Sequence, residues 1–203
     1  MPPLTVCVYC ASSERVGPSR RRVAAELGRA IAAQGWRMVY GGGNVGLMGE
    51  VARAALATGA HVTGVIPHRL ADREVALESV TELIRTDTMR ERKAIMDERS
   101  DAFVVLPGGI GTLEELIEIV TLKQLAYHDR PVVVVDDDGF WDPLLAQLRR
   151  MVADGLADPA VRDLYAVVRD VPEAVDALRD AGPSPRPRAR RVALEASPAA
   201  HHR

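Results

Sequence analysis

Glu115 stands in the run Pro107-Gly108-Gly109-Ile110-Gly111-Thr112-Leu113-Glu114-Glu115, a PGGxGTxxE pattern whose residue types and spacing suit chemistry on a phosphorylated substrate. The apolar run before it, Ala102 to Leu106, has the composition of a buried parallel strand. Pro107 stops that strand, and Gly108, Gly109 and Gly111 leave a loop with little side-chain bulk. From Thr112 onward Leu113, Leu116, Ile117, Val120 and Leu125 recur near a 3.6-residue period and predict a helix. A strand, a glycine-rich turn and a helix start bring unpaired N–H groups and the positive end of the helix dipole to one point, which suits an anion. No Gly-Lys-Ser/Thr closes the loop, so it is not of the Walker type. Helical projection puts Glu115 between Ile119 and Leu122 on the flank of the apolar face, while Glu114, Glu118 and Thr121 form a polar stripe. A carboxylate at the edge of a core is partly desolvated and suited to acid–base work. The same residues also spell a capping box, with Thr112 at the N-cap and Glu115 at N3. The local pattern leaves both readings open.

A second group lies upstream in Met89-Arg90-Glu91-Arg92-Lys93. A helix predicted over about Thr88 to Arg99 sets Met89, Arg92, Met96 and Arg99 on one face. An arginine among methionines is either a charged rim beside a core contact or an anion ligand. Lys93, one position round the helix, either reaches a phosphate or faces water.

Together, MxxRK followed by PGGxGTxxE resembles the LOG ("lonely guy") family of cytokinin riboside 5′-monophosphate phosphoribohydrolases, long labelled lysine decarboxylases. The resemblance runs from about Val6 to Leu178. It implies a Rossmann-like fold and hydrolysis of the N-glycosidic bond of adenosine-type 5′-monophosphates, with a nucleoside 5′-monophosphate as substrate and no cofactor. It also implies a homodimer. Carried onto this chain, it makes Glu115 and Arg92 catalytic and gives the phosphate to Gly108, Gly109, Gly111 and Thr112, with Ile110 and Leu113 among the substrate-binding residues. Glu74, Met89, Lys93, Glu114 and Thr121 then fall at substrate-contacting positions. Two rivals stand beside it, a pyridoxal-dependent lysine decarboxylase and a non-catalytic nucleotide or cofactor carrier. Lys93 and Lys123, the only two lysines, are not set in a Schiff-base context.

Other motifs are weaker. Ser12 and Ser13 follow a first strand over Leu4 to Tyr9 and could line a pocket, Ser13 being the expected contact. Where the family pattern usually has glycine, this chain has Ala11. Trp36 to Tyr40 predicts a second strand entering Gly41-Gly42-Gly43-Asn44-Val45-Gly46, which fits G-x-G-x-x-G in form. The strand after it ends in Pro67-His68 with no acidic residue for a ribose, which argues against a dinucleotide. Gly42 and Gly43 are therefore expected as a second wall of the nucleotide pocket, and Gly49 as a close-packing position. Cys7 and Cys10 form a C-x-x-C, but residues three apart on a strand point to opposite faces, so two buried thiols are expected rather than a disulfide or metal pair. Asp136-Asp137-Asp138-Gly139 lacks calcium-loop spacing and reads as a solvated turn. No metal site is expected.

The chain of 203 residues suits one domain, with 47% apolar and 27% charged residues and a net charge of −2. That balance points to neither a nucleic-acid nor a membrane surface. No apolar run approaches a membrane span, and the start Met1-Pro2-Pro3 has no signal-peptide character, so a cytoplasmic protein is expected. Further helices are expected from Ser19 to Gln34, Phe140 to Gly155 and Pro172 to Leu178. Strands are expected at His61 to Ile66, Val80 to Arg85, Pro131 to Val135 and Tyr165 to Val168. Leu70 to Leu77 reads as a polar segment. This alternation predicts an α/β, Rossmann-like three-layer sandwich with a mainly parallel sheet over residues 1–180. The Pro/Arg-rich stretch 181–203 has no periodicity and is expected to be disordered. The strand-following loops of such a sheet gather at its C-terminal edge, where ligands bind.

Overall fold

The computed structural model describes residues 3–74 and 76–182, with the side chains of 72–74 also outside the description. Among the described residues there are seven strands, β1 (Thr5–Tyr9), β2 (Arg37–Tyr40), β3 (Val62–Pro67), β4 (Glu82–Thr86), β5 (Ala102–Val105), β6 (Val132–Val135) and β7 (Ala166–Val168). They form one sheet in the order β4-β3-β2-β1-β5-β6-β7. All six pairings are parallel, so the sheet is more uniform than the expected mainly parallel one. The central strands, such as Phe103 to Val105 and Val132 to Val135, are buried on both faces, as an all-parallel sheet requires.

Helices α1 (Pro18–Ala33), α2 (Gly46–Ala57), α3 (His68–Glu74), α4 (Met89–Glu98), α5 (Ile110–Gln124) and α6 (Asp142–Ala153) connect the strands, and α7 (Val171–Ala181) follows β7. One core packs Leu27 and Ile31 of α1, Val51 of α2 and Leu178 of α7 on the face of β1 that carries Val6 and Val8. The other packs Met96 of α4, Leu116 and Ile119 of α5 and Leu145 of α6 on the face that carries Cys7 and Phe103. Alternating side chains of one strand thus feed two layers, which gives the three-layer sandwich. The α1–α2 crossing is close because Gly28 has no side chain; a Cβ there would lie 2.3 Å from the Val51 carbonyl oxygen.

Two expectations need correction. Helix α5 begins at Ile110 with Gly109 as N-cap, two residues before Thr112, so Thr112 and Glu115 do not form a capping box. The first turn carries Ile110, which is 84% exposed, so no apolar position marks it in the periodicity. The segment from Leu70 is not simply polar coil, because α3 starts directly after Pro67. The Pro/Arg-rich stretch lies, from residue 183 on, outside the described residues.

Candidate active site

A cavity of about 250 Å³ opens at the C-terminal edge, over the ends of β1, β2 and β5. Its walls include Ser12 after β1, Gly41 after β2, Leu70 on α3, Met89 and Arg92 on α4, and the first turn of α5 through to Glu115. A larger cleft, about 500 Å³, lies at the opposite edge beside Lys123, Asp129 and Asp163. It has no helix N-terminus facing it, and the chemistry argued from the sequence is not there.

The first turn of α5 is open to an anion. Gly109 provides no side-chain cap, and the first backbone bond of this helix start runs from Leu113 N to the Gly109 carbonyl at 3.0 Å. Among the described residues, the N–H groups of Ile110, Gly111 and Thr112 have no acceptor. Gly108 is needed for packing, because a Cβ would fall 2.1 Å from Thr112 Oγ1, whereas the positions of Cβ atoms on Gly109 and Gly111 are open space. The start of α2 differs. Leu47 N and Met48 N both donate to the Ala11 carbonyl, at 2.9 and 3.2 Å, so that helix end is already occupied. The tight approach to the Ser loop is made by Gly46 at φ +60°, whose Cβ would fall 2.6 Å from the Ser12 carbonyl carbon. Alanine at position 11 is tolerated because glycine stands on the other side of the contact.

Arg92 and Glu115 face one another in the floor, 6% and 8% exposed, with Nη1 3.5 Å from Oε1. The guanidinium also donates from Nε to the Val65 carbonyl at 3.0 Å and from Nη2 to the Gly41 carbonyl at 3.1 Å. These carbonyls lie where β2 ends and β3 runs on, so the planar fork bridges the point at which the two strands part. Gly41 must be glycine for this: a Cβ there would sit 2.0 Å from Arg92 Nη2. A desolvated arginine with three acceptors holds its position far better than one with water alone. The capping box expected at Thr112 is found instead at the start of α4, where Thr88 Oγ1 accepts from Glu91 N and Glu91 Oε2 accepts from Thr88 N. It was readable in the sequence as Thr-x-x-Glu.

The other expected residues divide. Met89, Gly109, Ile110, Gly111 and Thr112 line the cavity with Arg92 and Glu115. Leu113 packs towards the core instead. Lys93 lies in the groove between α4 and α5, with its amine 2.5 Å from Glu114 and 2.9 Å from Glu118. Desolvation is the largest influence on that amine and acts downward, but hydrogen bonds to Glu114 and Glu118 outweigh it and the net shift is upward. Glu114 is therefore spent on Lys93, and Thr121 is exposed towards the far end of α5. Ser13 Oγ accepts from Arg15 N in a turn, leaving the cavity to Ser12. Gly42 and Gly43 lie behind Gly41: the Gly42 carbonyl accepts from Leu77 N, and Gly43 bridges to Ala76. They support the segment after α3 rather than the cavity wall. The side chain of Glu74 lies outside the described residues. Ser12, offered with Ser13 as a pocket residue, does line the cavity, whereas sequence reasoning passed over Gly41, Met48 and Leu70.

Both thiols are free and buried, Cys7 in one core and Cys10 in the other, as the strand geometry required. Burial pushes the Cys7 thiol up to about 12 and raises that of Cys10 further. Among the described residues no group of three or more His, Cys, Asp or Glu could hold a metal. The acidic run is a 3-10 turn at Asp137–Gly139, with Asp136 accepting from Trp141 N at 2.7 Å. No described helix is long and apolar enough to cross a membrane.

An all-parallel sheet with an open helix N-terminus and a desolvated carboxylate at its C-terminal edge makes this a Rossmann-like α/β protein with its candidate ligand site at that edge. Within that class, residues 48–178 match the family model described as possible lysine decarboxylase. The chain is 49% identical over 180 residues to a cytokinin riboside 5′-monophosphate phosphoribohydrolase of Mycobacterium tuberculosis, covering 89% of this chain and 94% of that one. It is 47% identical over 175 residues to a probable enzyme of the same name from Oryza sativa, covering 86% and 77%. Among solved structures, the molybdenum cofactor carrier protein of Chlamydomonas reinhardtii superposes with a TM-score of 0.67 at 23% identity, covering 88% and 98%, a likeness of fold alone. The chain belongs to the LOG family, the one its model describes as possible lysine decarboxylase.

Proposed function

We propose that this protein hydrolyses the N-glycosidic bond of adenosine-type 5′-monophosphates, N6-prenylated AMP foremost, releasing the free base and ribose 5-phosphate. The observation that carries the reading is the buried Arg92–Glu115 pair set just beyond an open helix N-terminus. From Thr112 to Glu115 the helix advances about 4.5 Å, a separation suited to a phosphate on the first turn and the sugar carbon near the carboxylate. Breaking the bond to the base builds positive charge on the ribose ring. Glu115 would offset that charge and direct a water to C1′, while Arg92 would fix the carboxylate in place.

The decarboxylase description does not fit these residues. Pyridoxal chemistry asks for a lysine amine free to form a Schiff base. Lys93 is held between two carboxylates, and Lys123 lies at the opposite edge of the sheet, donating to the Arg130 carbonyl at 2.9 Å. A carrier role, by contrast, would leave Glu115 and its arginine without a purpose beside the sugar. The family resemblance adds a homodimer. Ile110, Ile117, Leu125 and Tyr127 on and just after α5 are exposed apolar residues that a second copy would cover.

Incubation with N6-prenylated AMP should yield base and ribose 5-phosphate in equal amounts. Tight binding with the nucleotide recovered intact would overturn the reading in favour of a carrier.

A further inference from the structure

Helix α4 carries Arg92, yet it has little apolar surface to fix its position. Of its ten residues only Arg92 and Met96 are buried, and its last turn contains no basic side chain of its own. The turn after it closes part of that end, with Ser100 N donating to the Asp97 carbonyl at 3.2 Å and Ser100 Oγ to the Met96 carbonyl at 2.5 Å. Arg130, in the segment leading into β6, adds a cation and further donors there. Its Nη1 donates to the carbonyls of Asp97 and Ser100, at 2.6 and 3.1 Å, and its Nη2 donates to Asp97 Oδ1 at 2.5 Å. A cation at the C-terminal end of a helix also complements the dipole.

The guanidinium is itself held firmly. It is 3% exposed and lies 4.7 Å over the ring of Phe103, which in turn stacks on Tyr9 at 6.0 Å, a wall residue of the cavity. The Arg130 carbonyl accepts from Lys123 on α5, so the segment that holds α4 is tied to the helix bearing Glu115. Both helices that supply the Arg92–Glu115 pair are therefore fixed from the edge of the sheet opposite the cavity.

We infer that Arg130 is a positioning residue: it sets the place of α4 along its axis, so that the Arg92 fork meets Gly41, Val65 and Glu115. The inference rests on the proposed hydrolysis only for its kinetic readout. Asp97 is five residues beyond Arg92, about 7.5 Å along the helix, so a slip at that end is transmitted through little more than one turn. Reacting geometry tolerates displacements well below an ångström; about 1 Å can cost on the order of 10²-fold in rate.

The test compares four proteins at a temperature where all are folded: the parent, Arg130→Met, Arg130→Lys and Val175→Ala. The last removes buried surface from α7 on the other face of the sheet and serves as a destabilised control. Arg130→Met should lose at least about tenfold in kcat with KM little changed, and amide exchange across residues 89–98 should accelerate. Arg130→Lys, which returns a cation to Asp97, should recover most of both. Val175→Ala should melt lower with kcat and the exchange of residues 89–98 unchanged. Parent-like kcat and exchange in Arg130→Met would overturn the inference, as would an equal kcat loss in Val175→Ala. If Arg130→Met fails to fold, Arg130→Gln takes its place with the same expectations. The exchange measurement needs no turnover, so a failure of the positioning role is told apart from a failure of the proposed reaction.

Discussion

Replacing Arg92 by lysine keeps the charge and removes the planar fork. The guanidinium meets three acceptors in different directions, the Val65 and Gly41 carbonyls and Glu115 Oε1. One ammonium on a flexible stem cannot reach all three. Gly41 lines the cavity and can recover a water, so the lasting loss is one buried carbonyl, about 2 kcal/mol. For a domain of this size that lowers the thermal midpoint by about 4–8 °C. The rate should fall much further, on the order of 10²-fold, because Glu115 loses the group that orients it. The assay is a melting curve together with release of free base at saturating and subsaturating nucleotide. A variant that melts with the parent and turns over within about threefold of it would show that the planar fork of Arg92 matters neither to the fold nor to turnover.

Three further outcomes are expected. Nucleosides should react at least about 10²-fold more slowly than their 5′-monophosphates, because phosphate bound at the α5 first turn positions the reacting carbon; equal rates would remove the phosphate from that helix. His128 is buried, with Nε2 2.9 Å from the Ile119 carbonyl, and desolvation, then the charge of Arg130, lowers its pKa from the ordinary 6.5. The neutral ring is the form that fits, so this contribution to stability is complete above about pH 6.5 and lost as pH falls towards the depressed value; melting curves between about pH 8 and pH 5 should fall more steeply for the parent than for His128→Gln, and parallel curves would contradict this. Cys7 and Cys10 should resist alkylation in the folded protein and react on unfolding, which thiol counting on native and denatured protein would check.

Much of this architecture could be read from pattern. Val132 to Val135 and Ala102 to Val105 are apolar runs flanked by turn residues, and strands buried on both faces look like that. The resemblance carried by PGGxGTxxE and MxxRK marked Glu115 and Arg92 as site residues, and the fold brings them together across a separation of 23 residues. What escaped had no local signal. The first turn of α5 is Ile110-Gly111-Thr112, and since Ile110 points outward, apolar periodicity dates the helix from Leu113. The role of Gly41 depends on a guanidinium 51 residues away, so the triple glycine looked like a nucleotide wall when its first member makes room for Arg92. Lys93 and Glu114 carry the right chemistry for a substrate, yet their 2.5 Å ion pair uses each against the other. Spacing along one chain cannot show which charges will neutralise one another. The Arg130 anchor is hidden for the same reason, its partner Asp97 being 33 residues upstream.

The central claim is that Glu115 does chemistry on the bound nucleotide, and Glu115→Gln tests it most directly. The amide keeps the shape and an oxygen that can still accept from Arg92, so the fold and the nucleotide affinity should change little. It can neither take a proton nor offset a cation, so single-turnover release of base from N6-prenylated AMP should slow by about 10²- to 10⁴-fold. A Glu115→Gln protein that binds the nucleotide and releases base within about threefold of the parent rate would contradict the account.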